Sequence, residues 1–414
     1  MTSPARVTVI GAGIVGIVSA NFLRRDGHAV TVVDSRPPGE GCSFGNAGNI
    51  SPGSCLPIAM PGILANVPAW LFDPSGPLRL RLGYLPRALP WFARFARAAT
   101  RDRAQATALA LRTLHVRTFD LYESLIGEAG APELITRPGQ LHVYETADAF
   151  AGARLGRDIL RRCGVEMEEL DAAGIRDLEP SLAPIFARAV FFPRHGFCLS
   201  PLRLVQTLAE NFVRSGGTLL RRTVTGFEIG PEGPERLHTD AGDLDVDTLV
   251  IAAGAWSGKL TAGLGDKVPL EAERGYHLEL PDPGTVPSRS ISWGERKFTA
   301  TPMEMGLRFA GTAEFAGLDA PPDYRRARIL LTHANRMFPG LNGEGGRVWM
   351  GARPTFPDSR PVIGPSTRHG NVFYAFGHAH TGLTAAPMTG KLIAALVAGR
   401  APEIDLAPFR VDRF

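Results

Sequence analysis

The sequence predicts an α/β fold of two domains. The first observation is a short β-branched strand, Arg6 to Ile10, followed at once by the glycine-rich turn Gly11 to Gly16 and a helix. The second is a strand of the buried type in the middle of the chain, Asp247 to Ala255, which also ends in small residues. The third is a strand near the carboxyl terminus, Asn371 to Phe376, with a helix behind it. Strands that alternate with helices in this way are typical of a parallel sheet covered on both faces.

Length and composition favour a large buried core and exclude several classes of protein. The chain has 414 residues, 44% of them hydrophobic, which exceeds what one core usually covers. Its 45 Lys and Arg nearly balance 41 Asp and Glu, which argues against a general nucleic-acid-binding protein. The 4 cysteines show neither CxxC spacing nor a metal-ligand pattern, so we expect free thiols and no metal site. No signal-like segment precedes Val7 and no run of about 18 apolar residues occurs, so we expect a cytoplasmic protein without a membrane-spanning helix.

The N-terminal turn has the spacing of a dinucleotide-binding motif. Gly11 permits a tight turn, Gly13 lets the backbone approach a pyrophosphate, and Gly16 lets the next helix lie against the strand. The helix from about Ile14 directs its free N–H groups and its positive end at the phosphates. Asp34 ends the second strand, where its carboxylate can accept both ribose hydroxyls. An isolated GxGxxG is weak evidence, but strand, turn, helix, second strand and acid in this order predict a Rossmann-like unit.

Three further features predict that the dinucleotide is FAD and not NAD. The run Gly41 to Ser51 consists largely of small residues that can lie along a ligand with their amides exposed, although a Gly-rich surface loop is the alternative. A second strand that ends in small residues, near Gly254, suits a cofactor longer than one nucleotide. The turn Gly377 to Thr384 opens a helix running to about Ala398, whose N-terminus can face the N1–C2 edge of a reduced flavin. The cofactor-binding residues predicted from these segments are Gly11, Gly13, Ile14, Val15, Gly16, Asp34, Ser35, Arg36, Cys42, Ser43, Asn46, Ala47, Gly48, Asn49, Ile50, Ala253, Gly254, Trp256, Gly377, His378, His380, Thr381, Gly382, Leu383 and Thr384.

Together these segments resemble the D-amino-acid oxidase superfamily of FAD-dependent oxidoreductases, in the branch of glycine oxidase, bacterial D-amino-acid dehydrogenase and hydroxyproline dehydrogenase. The resemblance spans nearly the whole chain, and its most specific parts are GAGIVG with Asp34, CSFGNAGNISPG, VIAAGAWS, GARPTFPDSRPVIG and GHAHTGLT. It implies a Rossmann-like FAD-binding domain and a second α+β substrate domain built on an antiparallel sheet. It also implies that Val224 contacts adenine through its backbone, unless this residue is only a core valine. Covalent members of the family use a cysteine or histidine linkage, and no cysteine follows Cys198, so we expect noncovalent FAD.

The predicted domains are assembled from separated segments. Residues 1–55, 145–255 and 345–414 form the FAD-binding domain, and residues 56–144 and 256–344 form the substrate domain. The middle segment of the FAD-binding domain contains an amphipathic helix from Pro201 to Arg214 and a strand from Thr218 to Thr225. The candidate strands of the substrate domain are Glu273 to Leu280, Phe298 to Thr301 and Gly306 to Glu314.

Four residues are predicted to handle the substrate. The resemblance implies that Arg353 of the GARP motif holds an amino-acid carboxylate above the flavin, and a guanidinium in a dry pocket suits this role. The alternative is a structural ion pair with an acid such as Asp358. His378 and His380 contact flavin or substrate, or serve only structurally, and proton transfer by either requires a pKa near neutrality. Tyr276 caps the carboxylate or closes the pocket, with a structural role as the alternative.

The predicted reaction is the oxidation of an amino acid, either a D-amino acid or a proline-like imino acid. The residues deliver a neutral amine whose Cα–H points at flavin N5, and the cofactor accepts the hydride. A primary amine then gives a 2-oxo acid and ammonia after hydrolysis, whereas an imino acid gives a cyclic imine. The alternatives are an oxygen-using oxidase of the glycine or sarcosine type, and a non-catalytic flavin-binding subunit that transfers electrons in a hetero-oligomer.

The segment from Pro57 to Ala99 bears on the electron acceptor. It is apolar and interrupted by prolines, its aromatic residues are interleaved with arginines, and no acid occurs between Asp73 and Asp102. This pattern predicts peripheral contact with an anionic membrane, on the inner face of the cell membrane, and electron transfer to a quinone or respiratory acceptor. Packing within the substrate domain or a subunit contact explains the same residues equally well. The sequence leaves the substrate side chain, its enantiomer and the oligomeric state undetermined.

Overall fold

Residues 5–414 are described by a computed structural model of the protein. Its α-helices are α1 Ile14–Arg25, α2 Ile63–Phe72, α3 Leu85–Ala98, α4 Arg101–His115, α5 Thr118–Ala129, α6 Ala147–Gly152, α7 Arg154–Arg162, α8 Ala172–Leu178, α9 Pro201–Arg214, α10 Ser257–Gly263, α11 Arg325–Met337 and α12 Gly382–Val397. Its strands are β1 Arg6–Ile10, β2 Ala29–Asp34, β3 Asn49–Ile50, β4 Leu78–Leu80, β5 Ile135–Thr136, β6 Gln140–Tyr144, β7 Glu168–Asp171, β8 Arg188–Phe192, β9 Gly196–Cys198, β10 Thr218–Arg221, β11 Val224–Gly230, β12 Gly233–Thr239, β13 Leu244–Asp245, β14 Thr248–Ile251, β15 Glu271–Leu280, β16 Ser290–Trp293, β17 Phe298–Met303, β18 Gly306–Phe315, β19 Arg347–Thr355, β20 Val362–Pro365 and β21 Val372–Phe376.

The first sheet joins the three predicted strand-and-turn units. Its strand order is β10-β2-β1-β14-β21-β20, and every pairing is parallel except that between β20 and β21. Because β1, β14 and β21 are neighbours, their carboxyl ends and the turns that follow them meet at one edge of the sheet. The predicted return of the chain to its N-terminal sheet is therefore confirmed.

The second sheet is larger and mostly antiparallel. Its strand order is β19-β15-β18-β17-β16-β6-β8-β7, and β4 pairs with the end of β18. The pairings of β6 with β16 and of β4 with β18 are parallel. Two small antiparallel sheets, β11-β12-β13 and β3-β9-β5, complete the strand pairing. The α/β fold class and the α+β unit on an antiparallel sheet are thus confirmed.

Three hydrophobic clusters hold these layers together. One lies between the parallel sheet and α1, α4, α5, α9 and α12, with Ile17, Leu208 and Ile393 fully buried in it. A second covers the other face of the parallel sheet. A third packs α11 against the large sheet through residues such as Leu330 and Leu280. Both faces of the parallel sheet are therefore covered, as its apolar strands require, and α11 covers one face of the large sheet.

The strand and helix packing departs from the predicted domain boundaries in three places. Strands β7 and β8, within 145–255, and β19, within 345–414, belong to the large antiparallel sheet. Helices α4 and α5, within 56–144, pack against α12 beside the parallel sheet. Backbone pairing and the partner of an apolar helix face are long-range contacts, which local sequence patterns do not reveal. We propose a division in which α4 and α5 join the FAD-binding domain and these three strands join the substrate domain.

The predicted strand from Thr218 to Thr225 is two strands. β10 ends at Arg221 in the parallel sheet, and β11 begins at Val224 in a separate antiparallel sheet. Between them, Arg222 N donates to Asp34 O at 2.9 Å and Thr223 N donates to the Asp240 carboxylate at 2.8 Å. The chain therefore changes sheets within two residues, and the continuous β-type composition conceals the break.

Candidate functional site

A cavity of about 630 Å³ lies where the turns after β1, β2, β14 and β21 meet. This volume is within the range of ligand-binding pockets. The predicted cofactor-binding residues that line it are Gly11, Gly13, Ile14, Val15, Asp34, Ser35, Arg36, Cys42, Ser43, Asn46, Val224, Ala253, Gly254, Trp256, Gly377, His378, Gly382 and Leu383. The opening glycine turn and the late histidine turn, more than 360 residues apart in the chain, thus border the same space.

Two glycines of the N-terminal turn are required by close backbone approach. Gly11 has φ of 115°, and a Cβ there would lie 2.4 Å from Ala252 O. A Cβ on Gly16 would lie 1.9 Å from Gly11 O, so any side chain would push α1 away from the turn. Gly13 faces the cavity, and its ideal Cβ meets only Ser43 Oγ at 3.4 Å. The first glycine and the third therefore shape the turn, whereas Gly13 leaves room for a ligand.

The Asp34 carboxylate is held at the end of β2 by two backbone donors. Ala12 N donates to one of its oxygens at 2.7 Å and Arg36 N donates to the other at 2.9 Å. Each carboxylate oxygen keeps acceptor capacity, so the group is oriented for ribose hydroxyls. Ser43 Oγ accepts from Ile14 N at 3.0 Å and thereby fixes the small-residue segment against the start of α1.

Part of the small-residue segment does not line the cavity but packs against neighbouring elements. Asn49 and Ile50 form β3, which pairs with β9, and Ile50 is fully buried. Gly48 has φ of 77°, and its carbonyl accepts from Cys198 N at 2.7 Å. Thr384 Oγ1 accepts from Ser51 N at 3.1 Å, which joins this segment to α12. The predicted residues Gly16, Ala47, Gly48, Asn49, Ile50, His380, Thr381 and Thr384 do not line the cavity themselves, within the described part of the chain.

A cluster of charged side chains lies next to the cavity. Arg353 Nη1 donates to Glu273 Oε1 at 2.9 Å and to Thr312 O at 3.0 Å. His380 Nε2 is 2.7 Å from the same Glu273 oxygen. Cys42, which lines the cavity, is close enough for Arg353 and Glu273 to act on its thiol, although burial dominates and raises its pKa to about 11. The cluster therefore borders the wall of the cavity on the side of the large sheet.

Glu273 is the buried centre of this cluster. Its exposed fraction is 3%, and Thr355 Oγ1 donates to its second oxygen at 3.3 Å. Burial raises the pKa of this carboxyl, but the charges and hydrogen bonds of His380 and Arg353 outweigh burial and lower the pKa to about 2. Gly275 leaves room for the guanidinium, because a Cβ there would lie 2.0 Å from Arg353 Nη2. Glu273 is thus an anion that orients both Arg353 and His380.

The structure places Tyr276 away from this cluster. Its ring is 1% exposed, its hydroxyl donates to Glu314 at 2.5 Å, and it accepts from Asp323 N at 3.0 Å. Burial, followed by the Glu314 carboxylate, raises its pKa to about 12. Side chains alternate along a strand, so Tyr276 and Glu273 point to opposite faces of β15. We therefore propose a structural role for Tyr276 in place of the predicted capping of a carboxylate.

The two histidines of the late turn differ in their surroundings. His378 lines the cavity but is buried, and its Nε2 is 2.9 Å from Thr389 Oγ1. Burial lowers the pKa of His378 to about 3, so the ring is neutral near pH 7 and does not meet the predicted condition for proton transfer. His380 is half-exposed and bonded to Glu273. The acid that pairs with Arg353 is also Glu273, since Asp358 pairs with Arg360 and Arg413.

Sequence reasoning missed two charged residues that line the cavity and the central acid of the cluster. Lys259 and Arg222 both line the large cavity, and neither lies in a recognised motif. Glu273 was visible only as the first residue of a predicted strand. Side chains alternate along a strand, so Glu273 lies on the same face as Gly275, two residues later. A glycine inside a strand often marks a close approach by another group, and this is the one signal that could have identified Glu273.

The residues that line the large cavity fit an extended dinucleotide. The start of α1 and the residues Cys42, Ser43 and Asn46 of the small-residue segment line the cavity, Asp34 is oriented for a ribose, and Gly13 permits close approach. The cavity continues from these groups to the start of α12, where the positive helix end favours an electron-rich ring. A ligand with a nucleotide at one end and a redox-active ring at the other, such as FAD, matches both ends.

Comparisons with known proteins agree with this fit. The family model described as FAD dependent oxidoreductase, DAO, matches residues 6–396. The chain is 41% identical to a D-amino-acid oxidase of Bradyrhizobium diazoefficiens over the full length of both proteins. It is 33% identical to D-amino acid dehydrogenase 2 of Ralstonia nicotianae, over 99% of this chain and 100% of that protein.

Solved structures share the fold at lower identity. Glycine oxidase from Geobacillus kaustophilus matches with a TM-score of 0.76 at 22% identity, over 99% of both chains. L-proline dehydrogenase from P. horikoshii matches with a TM-score of 0.74 at 20% identity, over 100% of this chain and 98% of that chain. With a large cavity at the turns that follow its parallel strands and a family model spanning almost its whole length, the chain belongs to the DAO family of FAD-dependent oxidoreductases, flavoproteins that include amino-acid oxidases and dehydrogenases.

Proposed function

We propose that the protein, loaded with noncovalently bound FAD, oxidises an amino acid at Cα, and that Arg353 binds the carboxylate of this substrate. The observation that carries the proposal is the position of the Arg353, Glu273 and His380 cluster beside the cavity. Pro354, next to Arg353, lines the cavity, and its carbonyl accepts from Ala379 N in the late turn at 2.9 Å. A carboxylate at Arg353 would therefore lie close to the flavin-facing turn.

Arg353 keeps donors for a substrate carboxylate. Nη1 donates to Glu273 and Thr312 O, and Nη2 makes one long contact of 3.4 Å with Gly311 O. A guanidinium has five N–H groups, so Nε–H and one Nη2–H have no partner among residues 5–414. Two parallel donors of this kind bind a carboxylate and fix its orientation. Glu273 acts through Arg353 and His380 and is a positioning residue.

The substrate class proposed first is a D-amino acid, with a proline-like imino acid as the second. The relatives at 41% and 33% identity are named for D-amino acids, which supports the first class. L-proline dehydrogenase shares the fold alone, so it adds no support for the second. When bound, FAD supplies the two-electron acceptor, and the protein contributes the position and protonation state of the substrate. The neutral amine must approach with its Cα–H directed at the ring.

The electron acceptor is proposed to be a quinone, reached at a membrane surface. The arginine-apolar surface consists of exposed residues of α2, α3 and the connection between them: Leu64, Phe72, Arg79, Leu82, Arg87, Leu89, Arg94 and Arg97. Phe72 is 86% exposed and Leu82 is 81% exposed, which is unusual for large apolar side chains. Trp91 and Phe95 instead pack against Phe315, so they belong to the protein interior. Within residues 5–414 no helix has the length and hydropathy needed to cross a bilayer.

The alternative acceptor is oxygen. It is favoured by the name of the 41% identical relative, an oxidase. To discriminate between oxygen and a quinone, the protein is first reduced by substrate under nitrogen. It is then reoxidised in separate experiments by air and by a soluble quinone. Fast reoxidation by air with hydrogen peroxide as product supports the oxidase, whereas slow reoxidation by air and fast reoxidation by the quinone supports the dehydrogenase.

Membrane contact is tested with vesicles of phosphatidylglycerol and phosphatidylcholine. The wild type is expected to sediment with them, and Arg87→Glu/Arg94→Glu/Arg97→Glu is expected to remain in the supernatant, because the variant repels anionic lipid. Arg81 is unsuitable for this test, since it pairs with buried Glu314 at 2.9 Å. The matched control changes three exposed arginines elsewhere, Arg154, Arg176 and Arg194, to glutamate. Equal, negligible sedimentation of all three proteins contradicts the membrane proposal.

The reaction is tested by anaerobic bleaching of the yellow protein with D-amino acids, D- and L-proline, hydroxyprolines, glycine and sarcosine. Arg353→Leu is expected to keep its colour and to lose about 10²-fold or more in kcat/KM, because each charged hydrogen bond contributes about 1.5–3 kcal/mol. Arg360→Leu, in the same motif but bonded to Asp358, is the matched control. Normal turnover by Arg353→Leu contradicts the carboxylate assignment. A yellow protein that no amino acid bleaches supports a non-catalytic electron-transfer subunit instead.

A further inference from the structure

One row of side chains on the large sheet is partly exposed, although it crosses the middle strands of the sheet. We call it the accessible row; its members are cross-strand partners on four adjacent strands: Ala310 of β18, Thr299 of β17, Ser292 of β16 and His142 of β6. Directly opposed residues point to the same face of a sheet. The residues that alternate with this row, such as Leu141, Ile291 and Phe309, are fully buried on the other face, in the hydrophobic cluster that includes α11. The accessible row therefore borders a space on one face of the sheet only.

The accessible row lies on the same face of the sheet as the Arg353 guanidinium. This guanidinium lies over Gly275, because a Cβ there would be 2.0 Å from Arg353 Nη2. Gly275 and His277 point to one face, and His277 is paired with Ala310, the first residue of the row. Thr299 lies two strands from β15, a distance on the order of 10 Å. An amino acid whose carboxylate is held at Arg353 can span this distance with a short side chain such as that of asparagine.

The next row on the same face packs against the small-residue segment. In this row, Arg308 Nη1 donates to Asn46 O at 2.9 Å, and Gln140 Oε1 accepts from Ser51 Oγ at 3.0 Å. Asn46 also lines the large cavity. Side chains two residues apart on a strand are neighbours on one face, so the accessible row is one row away from a segment that lines the cofactor cavity. A ligand on this row would therefore lie close both to Arg353 and to the cofactor.

The accessible row has hydrogen-bonding capacity that the protein does not use. Ser292 Oγ and Thr299 Oγ1 are 2.7 Å apart, and Gln140 Nε2 donates to Ser292 Oγ at 3.3 Å. Two hydroxyls that share one hydrogen bond leave one hydroxyl proton free. The ring nitrogens of His142 have no partner within the part of the chain that the structure describes, and they keep some accessible surface. Burial, followed by the charge of Lys297, lowers the pKa of His142 to about 4, so the ring is neutral near pH 7 and offers one N–H donor.

We propose that the accessible row binds the side chain of the substrate, and that this side chain ends in a hydrogen-bond-accepting oxygen, of the asparagine or aspartate type. This subsite rests on the proposed function, in which Arg353 binds the substrate carboxylate. The free hydroxyl proton of the Ser292 and Thr299 pair and the N–H group of His142 are two donors for such an oxygen. An apolar side chain of the same shape would leave both donors without a partner, which disfavours it about tenfold or more.

The test compares three D-amino acids of nearly equal shape, D-asparagine, D-aspartate and D-leucine, as substrates of the FAD-loaded protein. For the wild type, kcat/KM for the better of the two polar substrates is expected to exceed that for D-leucine by about tenfold or more. Ser292→Ala/Thr299→Val removes both hydroxyls and nearly keeps the volume of the side chains. This variant is expected to lower the ratio of kcat/KM between the polar substrate and D-leucine about tenfold. Its turnover of D-leucine is expected to be unchanged, which also shows that the variant is folded and holds FAD.

Ser290→Ala/Thr301→Val is the matched control. Ser290 Oγ and Thr301 Oγ1 are also within hydrogen-bonding distance, at 3.2 Å, and they lie one row away on the same face of β16 and β17. Both residues are fully buried, so their hydroxyls cannot contact a substrate. The control is expected to keep the ratio of the wild type. An equal fall of the ratio in both double variants means that the sheet as a whole is perturbed, and it overturns the subsite.

Other outcomes separate the subsite from the proposed function. Equal or faster oxidation of D-leucine by the wild type overturns the subsite, and so does an unchanged ratio in Ser292→Ala/Thr299→Val. Oxidation of D-alanine or glycine, but of none of the three larger substrates, means that the accessible row does not receive a side chain; the carboxylate assignment at Arg353 then stands without the subsite. If no amino acid bleaches the flavin, or if Arg353→Leu turns over normally, the proposed function fails and the subsite fails with it.

Discussion

Replacement of Glu273 by glutamine tests the electrostatic centre of the site. In the folded protein the pKa of this carboxyl is about 2, against an ordinary value of 4.5. At about 1.4 kcal/mol per pH unit, the difference corresponds to roughly 3 kcal/mol of stability at neutral pH. Glu273→Gln keeps the shape and an acceptor oxygen but removes the charge that Arg353 and His380 face. We expect the free energy of unfolding at pH 7 to fall by about 3 kcal/mol.

The pH dependence gives the sign of the effect. Because the folded pKa is below the unfolded one, the contribution of Glu273 is complete above pH 4.5 and is lost as the pH falls towards 2. The difference between the wild type and Glu273→Gln is therefore expected to shrink by about 1 kcal/mol between pH 7 and pH 4, and by about 2 kcal/mol at pH 3. Urea unfolding of the FAD-loaded proteins, followed by tryptophan fluorescence, measures both values.

Glu271 provides the matched control on the same face of β15. It is buried, Tyr84 donates to it at 2.9 Å, and burial raises its pKa, outweighing the hydrogen bonds from Ala272 N and Tyr84. Its charge therefore costs stability as the pH rises through its ordinary pKa, and Glu271→Gln should show the opposite trend with pH. The reasoning is refuted if Glu273→Gln matches the wild type at pH 7, or if both glutamine variants change in the same direction with pH.

Three further results are expected. Gly16→Val should lose FAD, measured by the ratio of absorbance at 450 and 280 nm, because its Cβ would lie 1.9 Å from Gly11 O; a fully yellow variant contradicts this packing. Gly275→Ala should keep FAD but raise KM about tenfold or more, because its Cβ would lie 2.0 Å from Arg353 Nη2, and an unchanged KM means that the guanidinium position is not important. His378→Asn should leave the pH profile of kcat/KM between pH 5 and 9 unchanged in shape, because burial lowers the pKa of His378 to about 3; loss of an ionisation in that range assigns it to His378.

Much of the cofactor site was predictable because its requirements are local. The bounds of β1 and the start of α1 agree with the predicted strand and helix, and Gly11 and Gly16 are required by close backbone contacts within the turn that the motif predicts. A turn that approaches a phosphate needs glycine, a helix start needs free N–H groups, and a ribose needs an acid after the second strand. The residues that meet these requirements lie within about thirty positions of each other, so they form a motif that can be recognised in the sequence.

The substrate side was harder to predict because it depends on register. Tyr276 and Glu273 are three residues apart, yet they point to opposite faces of β15, and a shift of one residue exchanges the faces of a whole strand. The sequence showed a strand there but not which face meets the cofactor. The same limit applies to β7, β8 and β19, whose membership of the large sheet is decided by backbone pairing with distant segments.

The sequence by itself determined the dinucleotide-binding turn, the family and the type of cofactor, because each depends on residues that must occur in a set order along the chain. Only the tertiary structure decided that Glu273, 80 residues before Arg353, holds this arginine together with His380. The physical reason is that the energy of a buried charge depends on which partners the fold brings within hydrogen-bonding distance. Sequence patterns do not reveal the distance between side chains that are far apart in the chain.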